Sequence, residues 1–251
     1  MFAQFLTDHL LAPKYLLWMW QGFQVTLLLT LLVAVLSTLF GLILAAARST
    51  TQRVFWLPAA AYTSLFRNTP LLVQLLFWYF GLPSLFPEGL MAWLNADHVL
   101  SVAGLFSVRW PSFEMLAALC GMVCYSTAYL SEEIRSGIRG VPLSQSIAAA
   151  ALGLTRVQVL RFIVLPQAVR IALPSLLGQY MNILKNTSLT MGIGLAELSY
   201  TSRQVESETF LAFQAFAVAT FLYIAAVAVI ESVGYYQLHA GPARYAKGGR
   251  G

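Results

Sequence analysis

Residues 22–47 read GFQVTLLLTLLVAVLSTLFGLILAAA, a run of 26 residues without a charged side chain. A helix needs about 20 apolar residues to cross the hydrocarbon core of a bilayer, so this run is long enough to span it. Within the run, Ser37, Gly41 and Ala45 recur every four residues, a spacing that lets a second helix approach closely in lipid. The sequence therefore predicts a membrane-spanning helix here and an all-α membrane protein.

Four further apolar stretches extend this pattern along the chain. With the first, they predict five transmembrane helices at about residues 22–47, 58–85, 113–130, 165–184 and 210–230. The stretch from Leu90 to Val108 is interrupted by Asn95, Asp97 and His98, so we expect it to lie at the membrane surface. We expect residues 1–251 to form a single transmembrane domain.

The basic residues are spread between the apolar runs. The chain is 59% hydrophobic and 10% charged, with a net charge of +5, and its Lys and Arg residues form no dense patch that would indicate a nucleic-acid partner. With five crossings, most of the 15 basic residues fall on one side of the membrane, which by the positive-inside rule is the cytoplasm. The amino terminus is then outside, the carboxyl terminus is inside, and residues 131–164 form the largest cytoplasmic loop.

The sequence offers no arrangement typical of an enzyme. His9, His98 and His239 are far apart, and no spacing indicates a metal site or a nucleophile with its base. The Gly-rich loop that binds nucleotide phosphates is missing from the sequence as well. We therefore predict no catalytic residue, no metal and no cofactor in this chain, and we expect any ATP to be bound by a partner.

The cytoplasmic loop contains a short alanine-rich segment, and residues 141–154 read VPLSQSIAAAALGL. Ser144 is placed to cap a helix and Gly153 to end it, which predicts a slender helix that fits a groove. Thr155 and Gln158 have the spacing of a capping box for a second helix, predicted to run to a break at Pro166. An ordinary helical hairpin lying on the membrane surface is the alternative.

Four motifs resemble those of one transporter family. Ala148-Ala149, Gly153 and the later Leu165-Pro166 resemble the cytoplasmic loop signature of ABC importer permeases. Residues 66–74 (FRNTPLLVQ) and 184–189 (LKNTSL) are similar to segments at the second and fourth spans of polar amino acid permeases. Residues 20–26 (WQGFQVT) resemble the opening of the glutamate/aspartate permeases.

This resemblance implies a fold and a set of functional residues. The fold is that of type I ABC importer permeases, in which a cytoplasmic coupling helix sits in a cleft of the ATPase subunit. The residues expected to couple to the ATPase are Ser144, Ala148, Ala149, Leu152, Gly153 and Leu154. The polar residues expected along the substrate pathway are Arg67, Asn68, Gln74, Asn182, Lys185, Asn186, Thr187 and Ser188. The chain departs from the family at Ile147, where Glu is usual, and at Ser144, where Gly is usual.

The resemblance also implies partners and a location. These are an ABC ATPase subunit dimer, a second permease copy or homologous permease, a periplasmic amino-acid-binding protein, a polar amino acid, and the bacterial inner membrane. Many polar amino acid permeases carry Lys-Asp where this chain has Lys185-Asn186, and the loss of a carboxylate there suits an anionic substrate, glutamate or aspartate. Alternatively, this pair only orders a loop.

Two other classes of transporter remain open at this point. An ion-coupled secondary amino acid transporter would need intramembrane carboxylates or an inverted repeat, and neither is visible in these spans. A passive channel is the other alternative. Both classes would transport solute without an ATPase.

Overall fold

A computed structural model describes residues 11–96, 99–102, 106–109 and 111–240 of the chain. In this part, four helices are long and apolar enough to cross a membrane, at Pro13–Ser49, Phe113–Arg139, Arg156–Ile193 and Ala212–Tyr236, and a shorter apolar helical stretch covers Leu71–Leu85. The predicted all-α architecture is confirmed. The assignment of residues 1–251 to one domain, with spans at the predicted bounds, stays a prediction.

The α-helices follow in chain order, with one short hairpin between them. They are α1 (Pro13–Ser49), α2 (Arg53–Arg67), α3 (Leu71–Leu76), α4 (Glu88–Leu94), α5 (Phe113–Arg139), α6 (Leu143–Ala151), α7 (Arg156–Gln158), α8 (Leu165–Asn186), α9 (Leu198–Thr209) and α10 (Ala212–Ala240). A π-helical turn at Phe77–Gly81 and a 3₁₀ turn at Leu82–Leu85 extend α3, and a second π-helical turn at Val159–Val164 joins α7 to α8. A 3₁₀ segment at Thr187–Ile193 follows α8, and strands β1 (Val99–Val102) and β2 (Phe106–Arg109) pair antiparallel.

The second predicted span is two helices. Helix α2 ends at Arg67 and α3 begins at Leu71. Pro70 precedes α3 with extended backbone angles of φ −60° and ψ 137°. Proline carries no backbone N–H and biases the residue before it away from helical geometry, which favours the break seen between α2 and α3. The polar residues before Pro70 therefore lie in a connection.

The structure divides into two compact units. Among the described residues, the first unit contains residues 11–33 and those of Asn68–Tyr125 and Asn186–Phe221, and the second contains Ala34–Arg67, Ser126–Lys185 and residues 222–240. In the first unit, α1 packs tightly against α9. A Cβ atom at Gly22 would lie 2.8 Å from the Cγ2 atom of Thr201, so only a glycine permits this approach.

In the second unit, α1 packs against α5 through the small-residue stripe. Ser37, Gly41 and Ala45 are all buried. A Cβ atom at Gly41 would lie 3.3 Å from the Cβ atom of Leu130, which shows how closely the two helices meet. The packing role predicted from the four-residue spacing is therefore confirmed.

Candidate coupling loop and substrate pathway

Helix α6 ends at Ala151 in a glycine-based cap. The N–H of Gly153 donates to the carbonyl of Ala150 (3.0 Å), and the N–H of Leu154 donates to the carbonyl of Ala149 (3.2 Å). Gly153 has a φ of +86°, the left-handed conformation that this pattern of two hydrogen bonds, the Schellman motif, requires. The predicted role of Gly153 as the end of the helix is confirmed.

The beginning of α6 differs from the prediction. The helix begins at Leu143 after Pro142, and no side chain makes the capping hydrogen bond. Ser144 is therefore not the cap, and its predicted role at the helix start is wrong. Pro142 sets the start instead, because its ring holds φ at −58° and ψ is extended at 134°, which places Ser144 inside the first turn.

The helix after the loop begins as predicted. The N–H of Gln158 donates to the Thr155 hydroxyl (3.4 Å), and the N–H of Thr155 donates to the side-chain oxygen of Gln158 (2.8 Å). This is a complete capping box. The predicted break at Pro166 is wrong, because the π-helical turn at Val159–Val164 carries the helix directly into α8.

Most of the residues expected to couple to an ATPase lie on the surface of the second unit. Ser144, Ala148, Leu152 and Gly153 are exposed, Leu154 is half-buried and Ala149 is buried. Ala149 is the inward-facing residue that attaches α6 to the rest of its unit, and α6 packs against the π-helical turn at Val159–Val164. Within the described part of the chain, the exposed face of α6 is therefore not covered, and a partner protein can approach it.

The residues expected along the substrate pathway fall in both units. Asn68, Gln74, Asn186, Thr187 and Ser188 belong to the first unit, whereas Arg67, Asn182 and Lys185 belong to the second. Thr187 is fully buried, whereas Asn182 is exposed on the surface of this chain. In the first unit, α3 packs against the Thr187–Ile193 segment.

Gln74 is the buried polar residue on α3. Its side chain is 6% exposed, and its Nε2 atom donates to the backbone carbonyl of Thr69 at 3.0 Å. This hydrogen bond ties α3 to the connection that precedes Pro70. The glutamine therefore fixes the start of α3, whatever contact with substrate it also makes.

A cluster of charges in the second unit joins α1 to α5. Glu132 pairs with Arg48 of α1 (3.4 Å) and with Arg135 one turn along α5, where the guanidinium Nε donates at 3.2 Å. Glu132 and Arg135 are three residues apart, a spacing that brings the two side chains together on one face of α5. Nearby, the guanidinium of Arg67 lies 5.3 Å from the ring centroid of Tyr129, whose hydroxyl donates to the Arg67 carbonyl at 3.2 Å. These contacts give Arg67 a structural role at the end of α2.

Glu197 is a buried carboxylate that sequence reasoning missed. It is 0% exposed and precedes α9, where it accepts a hydrogen bond from the N–H of Tyr200 at 2.9 Å. The Thr26 hydroxyl of α1 also donates to it, at 3.3 Å, and accepts from the N–H of Leu198 at 3.2 Å. A carboxylate just before a helical pattern is the signal that could have identified this cap.

Among the residues that the structure describes, no group of three or more His, Cys, Asp or Glu side chains could hold a metal ion. The described residues instead form apolar helices of membrane-spanning length, with the exposed helix α6 in one of their connections.

Comparisons with known proteins place this arrangement in a family. Residues 37–238 match the family model for "Binding-protein-dependent transport system inner membrane component". The chain belongs to this family of permeases.

Individual relatives match most of the chain. It is 31% identical over 210 residues to the glutamate/aspartate import permease of Escherichia coli (strain K12), covering 84% of this chain and 81% of that one. It is also 31% identical over 198 residues to a probable glutamine ABC transporter permease of Bacillus subtilis (strain 168), covering 79% of this chain and 80% of that one. This chain thus has the same percentage identity to two permeases whose names give different substrates.

Among solved structures, an amino acid ABC transporter crystallised with histidines has a similar chain. The two are 28% identical, with a TM-score of 0.73, and the match covers 90% of this chain and 95% of the other. The expected fold, that of type I ABC importer permeases, is confirmed.

Proposed function

We propose that this chain is the membrane permease subunit of an importer that carries a polar amino acid, glutamate or aspartate, and takes its energy from a separate ATPase subunit. The observation that carries the proposal is the exposed helix α6, which is closed by the left-handed Gly153 and followed at once by the capped start of α7. Its accessible face lets a motor protein seat on it.

The geometry of the loop supports a mechanical role. Only Leu152 to Leu154 separate α6 from the Thr155 cap, and the hydrogen bonds of both caps restrain this link. The helical stretch that begins after Thr155 continues to Ile193 over 38 residues. A displacement of α6 by ATPase closure is therefore passed to a helix of membrane-spanning length. This movement would alternate the access of a central pathway between the two sides of the membrane.

The partners follow from this role. ATP binds to an ABC ATPase dimer, and this chain itself is no enzyme and holds no cofactor. One chain of this size encloses a pathway only with a second permease, identical or homologous, and a periplasmic amino-acid-binding protein delivers the substrate. We place the chain in the bacterial inner membrane, with the amino terminus outside and α6 in the cytoplasm, because most basic residues then face inward.

The proposed substrate rests on the end of α8. Lys185 lies in the last turn and is exposed, and the half-buried Asn186 follows it. Because residue 186 is Asn and not Asp, it adds no negative charge next to the lysine, which favours a more positive local field that attracts an anion. The structural alternative is that both residues only order the turn into the Thr187–Ile193 segment.

Reconstitution tests the proposal directly. The chain, with its partner permease, is placed in proteoliposomes with and without the ATPase subunit and the binding protein, and uptake of labelled glutamate is followed. We expect ATP-dependent accumulation only in the complete set. Accumulation driven by an ion gradient without the ATPase would identify a secondary transporter, and equilibration without accumulation would identify a channel.

A further inference from the structure

The second unit contains a cavity between α1, α5 and α8. Its volume is about 510 Å³, which lies in the usual range of ligand-binding pockets. Its floor includes buried alanines, whose small side chains leave the space open, and its rim includes exposed, larger apolar side chains. The floor residues include Ala45 and Ala168, and the rim residues include Leu42, Leu165 and Val169. We call this space the α1–α5–α8 cavity.

The cavity follows the carboxyl-terminal end of α1. Its lining on this helix begins at Thr38 and continues to Thr50, which directly follows the last residue of α1. At a helical rise of about 1.5 Å per residue, this stretch measures about 18 Å. The hydrocarbon core of a bilayer is about 30 Å thick, so one leaflet contributes about 15 Å. The cavity therefore extends over about the depth of one leaflet, and the proposed orientation makes this the cytoplasmic leaflet.

The lining of the cavity suits a hydrocarbon chain. None of the described residues that line it is charged, and its hydroxyl groups are those of Thr38, Ser49 and Thr50. The Thr38 hydroxyl already donates to the carbonyl of Ala34 (2.6 Å), and the Ser49 hydroxyl donates to that of Ala45 (2.8 Å). A polar amino acid would lose its hydration here without gaining partners for its charges, which is strongly unfavourable. The cavity therefore fits an acyl chain better than the transported substrate.

Exposed arginines lie close in sequence to the cytoplasmic end of the cavity. Arg139 and Arg161 directly follow lining residues of α5 and of the π-helical turn, and Arg53 begins α2 shortly after the lining ends. All three side chains are exposed. The segments 48–53 and 131–161 together hold six arginines and two glutamates, an excess of positive charge. Basic residues at the cytoplasmic surface of a membrane attract anionic lipid headgroups.

We propose that the α1–α5–α8 cavity binds an acyl chain of an anionic phospholipid from the cytoplasmic leaflet, and that the exposed arginines at its end hold the headgroup. The exposed rim lets the chain enter from the side, where the bilayer itself is hydrocarbon. Lipid tails are as apolar as leucine, so the chain contributes packing contacts and the charged headgroup decides which lipid is retained. This inference uses the proposed orientation and does not depend on which amino acid is transported.

Spin-labelled phosphatidylglycerol tests the headgroup contact in phosphatidylcholine nanodiscs that contain the assembled transporter. The immobilised fraction of the label measures the lipid held by the protein. We expect the wild type to prefer phosphatidylglycerol over spin-labelled phosphatidylcholine, and Arg53→Gln/Arg161→Gln to lower this preference about tenfold. The matched control, Lys14→Gln/Arg203→Gln, removes two exposed positive charges from the first unit and should keep the preference.

A substitution that fills the cavity tests the binding of the acyl chain. Ala46 lines the cavity and is exposed, so Ala46→Phe occupies the space without entering the buried core of the unit. Ala228→Phe, at an exposed alanine of α10 that does not line the cavity, is the matched control. We expect the immobilised fraction to fall about threefold or more in Ala46→Phe, because the chain loses its packing contacts, and to stay unchanged in Ala228→Phe.

Competition in the wild type gives a test that needs no variant. Unlabelled long-chain phosphatidylglycerol should displace the label, whereas a short-chain form that cannot reach Thr38 should displace less. Equal competition by the two forms overturns the inference, and so does an unchanged preference in Arg53→Gln/Arg161→Gln or an unchanged immobilised fraction in Ala46→Phe. A wild-type transporter that immobilises no label would mean that the second permease covers the cavity, which also overturns the inference. None of these results decides the proposed function, which reconstitution with the ATPase tests separately.

Discussion

At the scale of single residues, Gly153 is required by its backbone conformation. Its φ is +86°, while a Cβ atom placed there would meet nothing within 4 Å among the residues that the structure describes. We expect Gly153→Val to lose most binding-protein-stimulated ATPase activity, because a β-branched residue in the left-handed region costs more than about 1–2 kcal/mol. Gly153→Asn should retain most of it, since asparagine tolerates this conformation. Stimulated ATPase activity in proteoliposomes is the readout.

Comparing Gly153→Val with Gly153→Asn distinguishes two reasons for a glycine at position 153. If valine and asparagine abolish stimulation equally, the space needed at the ATPase is decisive and the backbone conformation is not. If both variants match the wild type, Gly153 has no part in coupling.

Gly137 is required by helix packing in the second unit. A Cβ atom there would lie 2.6 Å from the Ala168 carbonyl oxygen and 2.7 Å from the Ala172 Cβ atom, so α5 and α8 would have to separate. We expect Gly137→Ala to lower the free energy of unfolding by about 2 kcal/mol. The measurement is the thermal unfolding midpoint of the purified chain in detergent.

Gly178 supplies the matched control for this substitution. It lies in α8, the helix against which Gly137 of α5 packs, and a Cβ atom there meets nothing within 4 Å among the described residues. Gly178→Ala should leave the midpoint unchanged or raise it slightly, because alanine is the better helix former by about 1 kcal/mol. Equal midpoints for Gly137→Ala and the wild type would show that α5 and α8 can separate without a loss of stability.

At the scale of elements, the start of α7 depends on a single threonine side chain. Thr155→Ala removes both the hydroxyl acceptor and the reciprocal geometry of the capping box, a loss of about 1 kcal/mol. We expect faster amide hydrogen exchange over Thr155 to Val159 in this variant. Ser144→Ala, on the other side of the loop, should change exchange little because Ser144 caps nothing. Equal exchange in both variants would contradict a stabilising role for the capping box.

The sequence predicted those elements whose signals are local. The Thr155–Gln158 box, the Gly153 terminator and the Ser37–Gly41–Ala45 stripe each depend on residues within one turn or one face, and all three were found. The π-helical turn before Pro166 was not predicted. A proline allows either a break or a local change of helical pitch, and neighbouring packing decides between them.

At the scale of the whole molecule, contacts between residues that are distant in the sequence limited what the sequence could predict. The five-span pattern and the family resemblance were sufficient for the fold class, because bilayer thickness fixes helix length. The contact between Thr26 and Glu197 joins positions 171 residues apart, and no periodicity relates them. The distribution of the pathway residues over two compact units was likewise not contained in their motifs, since it depends on how distant segments assemble.

Substrate choice belongs to the assembled transporter, and Asn186 gives a way to test the charge argument within it. Asn186→Asp places a carboxylate beside Lys185 with almost no change in side-chain size. A new like charge a few ångströms from an anionic substrate costs about 1 kcal/mol or more, so we expect glutamate uptake to fall about tenfold and glutamine uptake to change less. Initial rates of labelled glutamate and glutamine uptake in proteoliposomes are the measurement.

Asn95→Asp serves as the control for this last prediction, because it makes the same substitution at an exposed position outside the proposed pathway. It should leave both uptake rates unchanged. A parallel loss of glutamate and glutamine uptake in Asn186→Asp would mean that Asn186 supports the turn after α8 instead of the local field. Undiminished glutamate uptake would remove the charge argument for an acidic substrate, because the added carboxylate would then have no electrostatic consequence for the passing anion.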